Sequence, residues 1–236
     1  MTRRHAVPAL CSTAFTMNGA PNSSVLDSGS FMLDPATMTV SNYLDGVSIQ
    51  GSAADVKWLA RVTPPTGTEF SIGSRYETAW QADANRAGLY VASSKRGCSP
   101  TPGWVVIKDL VRDSATGAVT SFAASYGLTC GNALAPNTGG LRYNSSVGYA
   151  AAAVNTTLLD FGAVEIGPDG AQKSVTVTAT GSEPVTFAQA RLLGTSANQH
   201  AVVDDRCVGK TLSPGQACSV TVQTNPTMKT QKAHTF

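Results

Sequence analysis

The chain has 236 residues, with 17 Lys and Arg against 15 Asp and Glu, so its formal charge of +2 marks out neither nucleic acid nor an anionic membrane as a partner. Charged residues make up 14% and hydrophobic ones 42%, with 22 Gly and 12 Pro, which allows a core but leaves a surface built largely of Ser, Thr, Asn and Gly. No run approaches the ~20 apolar residues of a membrane helix, and the composition excludes coiled coil, collagen and long disorder.

Residues 1–12 read as an N-terminal tail or signal remnant. Thr2-Arg3-Arg4-His5 has the charge of a signal n-region, but the apolar stretch after it is broken by Pro8, Ser12 and Thr13. A lipidated Cys11 is disfavoured because Pro8-Ala9-Leu10 lacks the small residue expected before it. The start therefore reads as truncated or misplaced.

Helical periodicity is nearly absent, and short alternating runs punctuated by Gly, Pro, Asn and Asp predict antiparallel strands. Gly46–Gln50 alternates, and in 55–62 Val56, Trp58, Ala60 and Val62 share one face while Lys57, Leu59 and Arg61 share the other. Pro64-Pro65-Thr66-Gly67 turns the chain. Ser74–Ala87 reads as a loop and Gly88–Ala92 as a strand. Trp104–Val111 and Ala118–Tyr126 flank the turn at 113–117 as a hairpin, with Val105 and Ile107 inward and Trp104, Val106 and Lys108 outward. Leu141–Tyr143 closes a first β-rich sandwich over 13–145. The alanine-rich residues 146–155 read as a linker. Strands resume at Leu158–Val164, Gln172–Ala179, Val185–Leu193, His200–Asp204 and Ala217–Gln223, a spacing that predicts a second sandwich over 156–236.

The five cysteines stand at 11, 98, 130, 207 and 218. None is spaced as C-x-x-C, and His5, His200 and His234 are scattered, so ligands for zinc are lacking. Four cysteines allow three pairings, of which the local one, Cys98–Cys130 and Cys207–Cys218, keeps each bridge inside one domain. Closing the shorter loop would stabilise by ~3 kcal/mol in the chain-entropy model. Bridged cysteines imply an oxidising, extracytoplasmic compartment; buried reduced thiols in the cytosol are the alternative. Cys11 is left over.

The C-terminal part carries Leu158-Leu159-Asp160-Phe161-Gly162-Ala163-Val164-Glu165-Ile166-Gly167, then Ser174–Thr178, Gly181–Val185, Asp205-Arg206-Cys207, Thr211–Val220 and Asn225-Pro226-Thr227. In order and spacing this resembles the choice-of-anchor D, or ASH-type, immunoglobulin-like domain of bacterial surface proteins. The resemblance implies a seven-stranded sandwich akin to PapD-like folds, serving as a spacer or interaction module. It also implies one more strand after Asn225-Pro226-Thr227, which Lys229–Phe236 is too short and polar to supply. Either the chain is a fragment, or the second sandwich lacks its last strand and leaves an edge open to strand exchange or edge-to-edge oligomers. The N-terminal part is similar, over Gly88–Val91, Arg96-Gly97-Cys98, Gly103–Ile107, Ser121–Tyr126 with Cys130, and Gly140–Tyr143, to a β-rich module preceding such domains in secreted bacterial proteins.

Signatures of catalysis and of cofactor binding are missing: there is no G-x-S-x-G, H-E-x-x-H or P-loop, and no G-x-G-x-x-G between a strand and a helix. His200 is the one base candidate for a nucleophile, against a reading as a solvent-facing strand-edge residue. The carboxylate pairs Asp204–Asp205, Glu77–Asp83 and Asp109–Asp113 are weighed for glycoside hydrolysis, against solvated turns. Calcium at 204–205 lacks a third oxygen donor fixed by spacing. Asn22, Asn144 and Asn155 head N-x-S/T sequons, which matter only on a eukaryotic secretory path. The aromatics are the open lead. Tyr76 and Trp80 lie in a polar stretch near Asp83, Asn85 and Arg86, and an outward Trp104 offers a third ring; exposed, they suit stacking on sugar faces, and otherwise they cap core edges.

The expectation is an all-β chain of two tandem sandwiches, the second immunoglobulin-like, bridged by two disulfides and using no cofactor. Its role would be a non-catalytic secreted or cell-surface structural and interaction module, with a protein or cell-wall glycan as partner. The alternative is a carbohydrate-binding module using Tyr76, Trp80 and Trp104, and the weakest is a hydrolase using His200, Asp204 or Asp205.

Overall fold

The computed structural model describes residues 12–20, 22–26, 30–33, 35–53, 55–98, 102–133, 135–156, 158–163, 170–192, 196–225 and 234–235. Cys11, Val164 and Pro226-Thr227, together with the signal remnant before Ser12, lie outside them. The chain is all-β, with single 3₁₀ turns at Pro35–Thr37 and Ala197–Gln199, and it divides into two compact units, 1–148 and 149–236. Among the described residues no helix is long and apolar enough to cross a membrane.

The first unit holds β1 (Ser12–Asn18), β2 (Ser30–Met32), β3 (Thr39–Tyr43), β4 (Gly46–Ala53), β5 (Val56–Thr63), β6 (Arg75–Ala79), β7 (Ala87–Ser93), β8 (Gly103–Arg112), β9 (Val119–Leu128) and β10 (Asn137–Ser145). They form one sheet in the order β2-β1-β10-β9-β8-β6-β7-β5-β4-β3. Among the described residues only the β6–β7 junction is parallel.

That sheet curls back on itself. Phe31 of β2, at one edge, stacks on Trp58 of β5 at 4.0 Å between ring centroids, although six strands lie between them in sheet order. Six residues, 33–38, join edge strand β2 to edge strand β3, so the two edges are held near each other. Buried Leu33 and partly buried Met38 face the seam, and both would touch a side chain added at Gly51. Alternation then sorts each strand: Trp58, Ala60 and Val62 of β5, Leu89 and Val91 of β7, and Val105 and Ile107 of β8 point into one continuous core with Phe15, Phe122, Tyr126 and Leu141. Several polar groups inside find partners. The Tyr126 hydroxyl donates to the Thr16 carbonyl at 2.9 Å, and burial pushes its pKa well above the ordinary value. Arg142, 2% exposed, donates to the carbonyls of Ala124, Leu141, Val147 and Gly148. Asn137 accepts from the Ala20 N–H at 2.7 Å and donates to Ser23 Oγ and the Leu128 carbonyl, pinning the loop that follows β1.

Ser74–Ala87, expected as a loop, contains β6, wedged between β7 and β8. Its pattern is nearly all polar because only Thr78 is buried; its backbone pairs the strands on either side.

The second unit contains β11 (Ala152–Val154), β12 (Leu158–Leu159), β13 (Gln172–Ala179), β14 (Val185–Thr186), β15 (His200–Asp205), β16 (Thr211–Leu212), β17 (Ala217–Thr224) and β18 (His234–Thr235). A four-stranded sheet in the order β11-β13-β17-β15 faces two short pairs, β12–β18 and β14–β16. Along β17, Cys218, Val220, Val222 and Thr224 alternate inward. The expected linker stretch holds β11, paired with β13 from Ala152↔Ala179 to Val154↔Val177. The strand expected over Val185–Leu193 is cut to two residues. After Thr186 the backbone bonds instead to the 209–210 turn, through Phe187 N–H to the Lys210 carbonyl and Gly209 N–H to the Phe187 carbonyl. Near the C-terminus His234–Thr235 pairs with Leu158–Leu159.

Two disulfides join Cys98 to Cys130 and Cys207 to Cys218, one in each unit, with Cα separations of 5.0 and 5.2 Å. The second links the chain just past β15 to β17 and so brackets the turn at 213–216.

Candidate functional site

The outer face of the first unit carries a groove of about 590 Å³, within the range of small-ligand clefts. Strand alternation builds its floor. On β5, Leu59, Arg61 and Thr63 point away from the core that holds Trp58, Ala60 and Val62, and on β7 Tyr90 stands directly across from Arg61. The β3–β4 turn supplies Tyr43, Leu44 and Asp45, and the segment after β6 supplies Trp80, Gln81 and Ala82.

Each wall is held by a specific device. Leu44 has φ +52° and is 76% exposed, two uncommon properties for a leucine, and it sits on the groove rim. The adjacent Asp45 carbonyl accepts from Arg112 at 2.8 Å, tying this turn to the β8–β9 hairpin. Opposite, Asp83 closes the loop after Trp80: its Oδ1 accepts from the N–H groups of Asn85 and Arg86, and its Oδ2 from Arg86 Nε at 2.8 Å. The Arg86 side chain, with the Asn85 and Arg86 amides, holds the Asp83 carboxyl below its ordinary pKa. Ala82 is seated on Gly88, where a Cβ would collide with Thr63 Oγ1 and lie 2.9 Å from the Ala82 nitrogen.

Trp80 is 48% exposed, its ring centroid 6.3 Å from that of Tyr90. The Arg61 guanidinium lies over the Tyr43 ring, 4.4 Å from its centroid. Arg61 Nε is shut off from water without a hydrogen-bond partner. The terminal nitrogens likewise have no acceptor among the described residues, but they reach solvent where Arg61 lines the groove.

Of the three rings singled out in the sequence, only Trp80 lines this groove. Tyr76 packs edge-on against Phe70 at 5.4 Å, and its hydroxyl accepts from the Ser71 N–H at 2.8 Å. Trp104 is covered on one side by Arg75 at 4.6 Å, and its indole lies so close to Gly127 that a Cβ there would sit 2.5 Å from Nε1. Tyr43, Arg61 and Tyr90 escaped sequence reasoning. The outward alternation of Arg61 was visible, but nothing local ties it to rings 18 and 29 residues away.

The carboxylate candidates lie in turns, ion pairs and hydroxyl contacts. Asp204 pairs with Arg206 at 2.7 Å. Asp205 accepts from the N–H groups of Ala190, Cys207 and Val208, fastening the turn beside the second disulfide. Asp113 caps the hairpin turn through Ala115 and Thr116, and Glu77 pairs with Arg75. Asp109 accepts from the hydroxyls of Ser121 and Ser145. His200 lies 5.6 Å from the Phe161 ring, with Nδ1 near the Ser196 carbonyl. Among the described residues no three His, Cys, Asp or Glu side chains gather into a metal-binding group. No protein-family model, curated protein or solved structure matches the chain.

Proposed function

We propose that the chain is a non-catalytic structural and interaction module exported from the cell or displayed on its surface, its second unit an immunoglobulin-like domain of the choice-of-anchor D type. The observation that carries this reading is one disulfide inside each unit, since such bridges persist in oxidising compartments. The low charge and the use of the candidate carboxylates in turns and ion pairs favour the same reading. Detection of the protein in the medium or at the cell surface, open to added protease on intact cells, is the expected outcome; full protection until lysis would overturn it.

A second reading is favoured by the groove: the first unit binds carbohydrate, with Trp80 and Tyr90 as the rings that meet sugar faces. Tyr76 and Trp104, packed as they are, have no part in it. Tryptophan fluorescence titrated with a polysaccharide panel tests this, with a response expected from the native chain and lost in Trp80→Phe. No response across the panel would end the reading.

A further inference from the structure

We propose that the outer-face groove selects acidic sugars, the uronic acid units of a polyuronate, with Arg61 binding the carboxylate; this rests on the carbohydrate reading above. The starting point is the state of Arg61. Arg75, Arg86 and Arg206 face carboxylates, and Arg112 and Arg142 donate to carbonyls. Arg61 has neither kind of acceptor among the described residues, although its Nε is shut off from water. A buried donor left unpaired is destabilising. The Tyr43 ring beneath the guanidinium offsets part of that cost and fixes the side chain, leaving its terminal donors at the groove.

A planar fork of free donors matches a carboxylate, which accepts two parallel hydrogen bonds. Neutral sugars offer no such partner. The rest of the groove suits a pyranose: Trp80 and Tyr90 line it with aromatic rings on which C–H surfaces can pack, Leu44 adds an apolar rim, and Asp45 and Gln81 offer acceptors to hydroxyls. Asp45 forms no ion pair with Arg61, so the cation is not already neutralised. An acidic peptide would meet the guanidinium but has no use for two neighbouring aromatic rings.

The test uses the full chain and calorimetry, with tetrasaccharides of galacturonate, mannuronate and hyaluronan, each also in carboxyl-reduced form, and a glutamate oligomer of matched charge. At least one acidic tetrasaccharide should bind, about 10-fold or more tighter than its reduced form. Arg61→Gln should remove that preference, bringing the acidic form down to the level of the reduced one, and Trp80→Ala should weaken both. Equal affinity for acidic and reduced forms would overturn the selection of acid while leaving carbohydrate binding intact. Binding of no saccharide would overturn both readings, and equal binding of the glutamate oligomer would make Arg61 a general anion site. Should Arg61→Gln unfold, the comparison of acidic and reduced forms on the native chain decides alone.

Discussion

The first unit gathers Phe15, Phe122, Tyr126, Ile107 and Leu141 into one continuous cluster that takes side chains from both halves of its curled sheet. The second has two smaller clusters, one around Leu159, Val175 and Val222, the other around Ala179, Leu212 and Val220 with the Cys207–Cys218 bridge. In that last cluster the two cysteines are themselves two of the five buried members. Small cores supply little net stability, so a covalent link weighs more where the apolar cluster is small. The first unit would stand on packing with its disulfide as a supplement, whereas the second would depend on its disulfide to stand at all.

The largest expected effect lies in the first unit's core. Phe122→Ala should cost about 3–5 kcal/mol and lower that unit's unfolding transition, leaving the second unit's in place. Calorimetry resolving two transitions checks it; a shared shift would mean that the units unfold together. The sharpest contrast comes from the bridges. Closing loops of 32 and 11 residues should stabilise by about 3.7 and 2.8 kcal/mol in the chain-entropy model. Although the first bridge is worth more, Cys98→Ser with Cys130→Ser should leave a folded first unit of lower Tm, while Cys207→Ser with Cys218→Ser should unfold the second at 37 °C. Hydrogen exchange reads each unit separately, and the reverse pattern would break the comparison.

A smaller effect is expected at Asn137, fully buried with three hydrogen bonds. Asn137→Ala should cost about 1–3 kcal/mol, seen as a lower urea midpoint for the first unit only. The smallest lies at Asp205. Burial raises its pKa, but the N–H groups of Ala190, Cys207 and Val208 outweigh that and hold it below the ordinary carboxylate value. A folded-state pKa below the unfolded one stabilises above the unfolded value, and that contribution is lost as pH falls through the folded one. The second unit should therefore soften on acidification below about pH 4, and Asp205→Ala should cost about 1 kcal/mol at neutral pH and flatten the acid limb. An unchanged acid limb in that variant would remove Asp205 from the explanation.

What could be read from the sequence follows from how local each feature is. The two faces of β5, the β8–β9 hairpin and β13 were legible because alternation and flanking turns are properties of neighbouring residues. Both disulfides were legible because each pair lies within one stretch of strands. The insertion of β6 between β7 and β8 was not, since a polar strand held by its backbone has no hydrophobic signature. Strand β11 was hidden likewise: Ala152-Ala153-Val154 is extended because the edge of β13 is there to receive it. The groove needed four separate segments to meet, so Trp80 stood out by local polarity while Tyr43, Arg61 and Tyr90 did not. The neighbours of Trp104 were hidden for the same reason, because Arg75 and Gly127 meet it only across the sheet.

The measurement that bears most directly on an exported, disulfide-bridged pair of units is a peptide map of protein taken from its own cells, with free thiols alkylated at the moment of lysis. Two crosslinked peptides are expected, Cys98 with Cys130 and Cys207 with Cys218. Alkyl groups on all four cysteines would contradict it and place the chain in a reducing compartment.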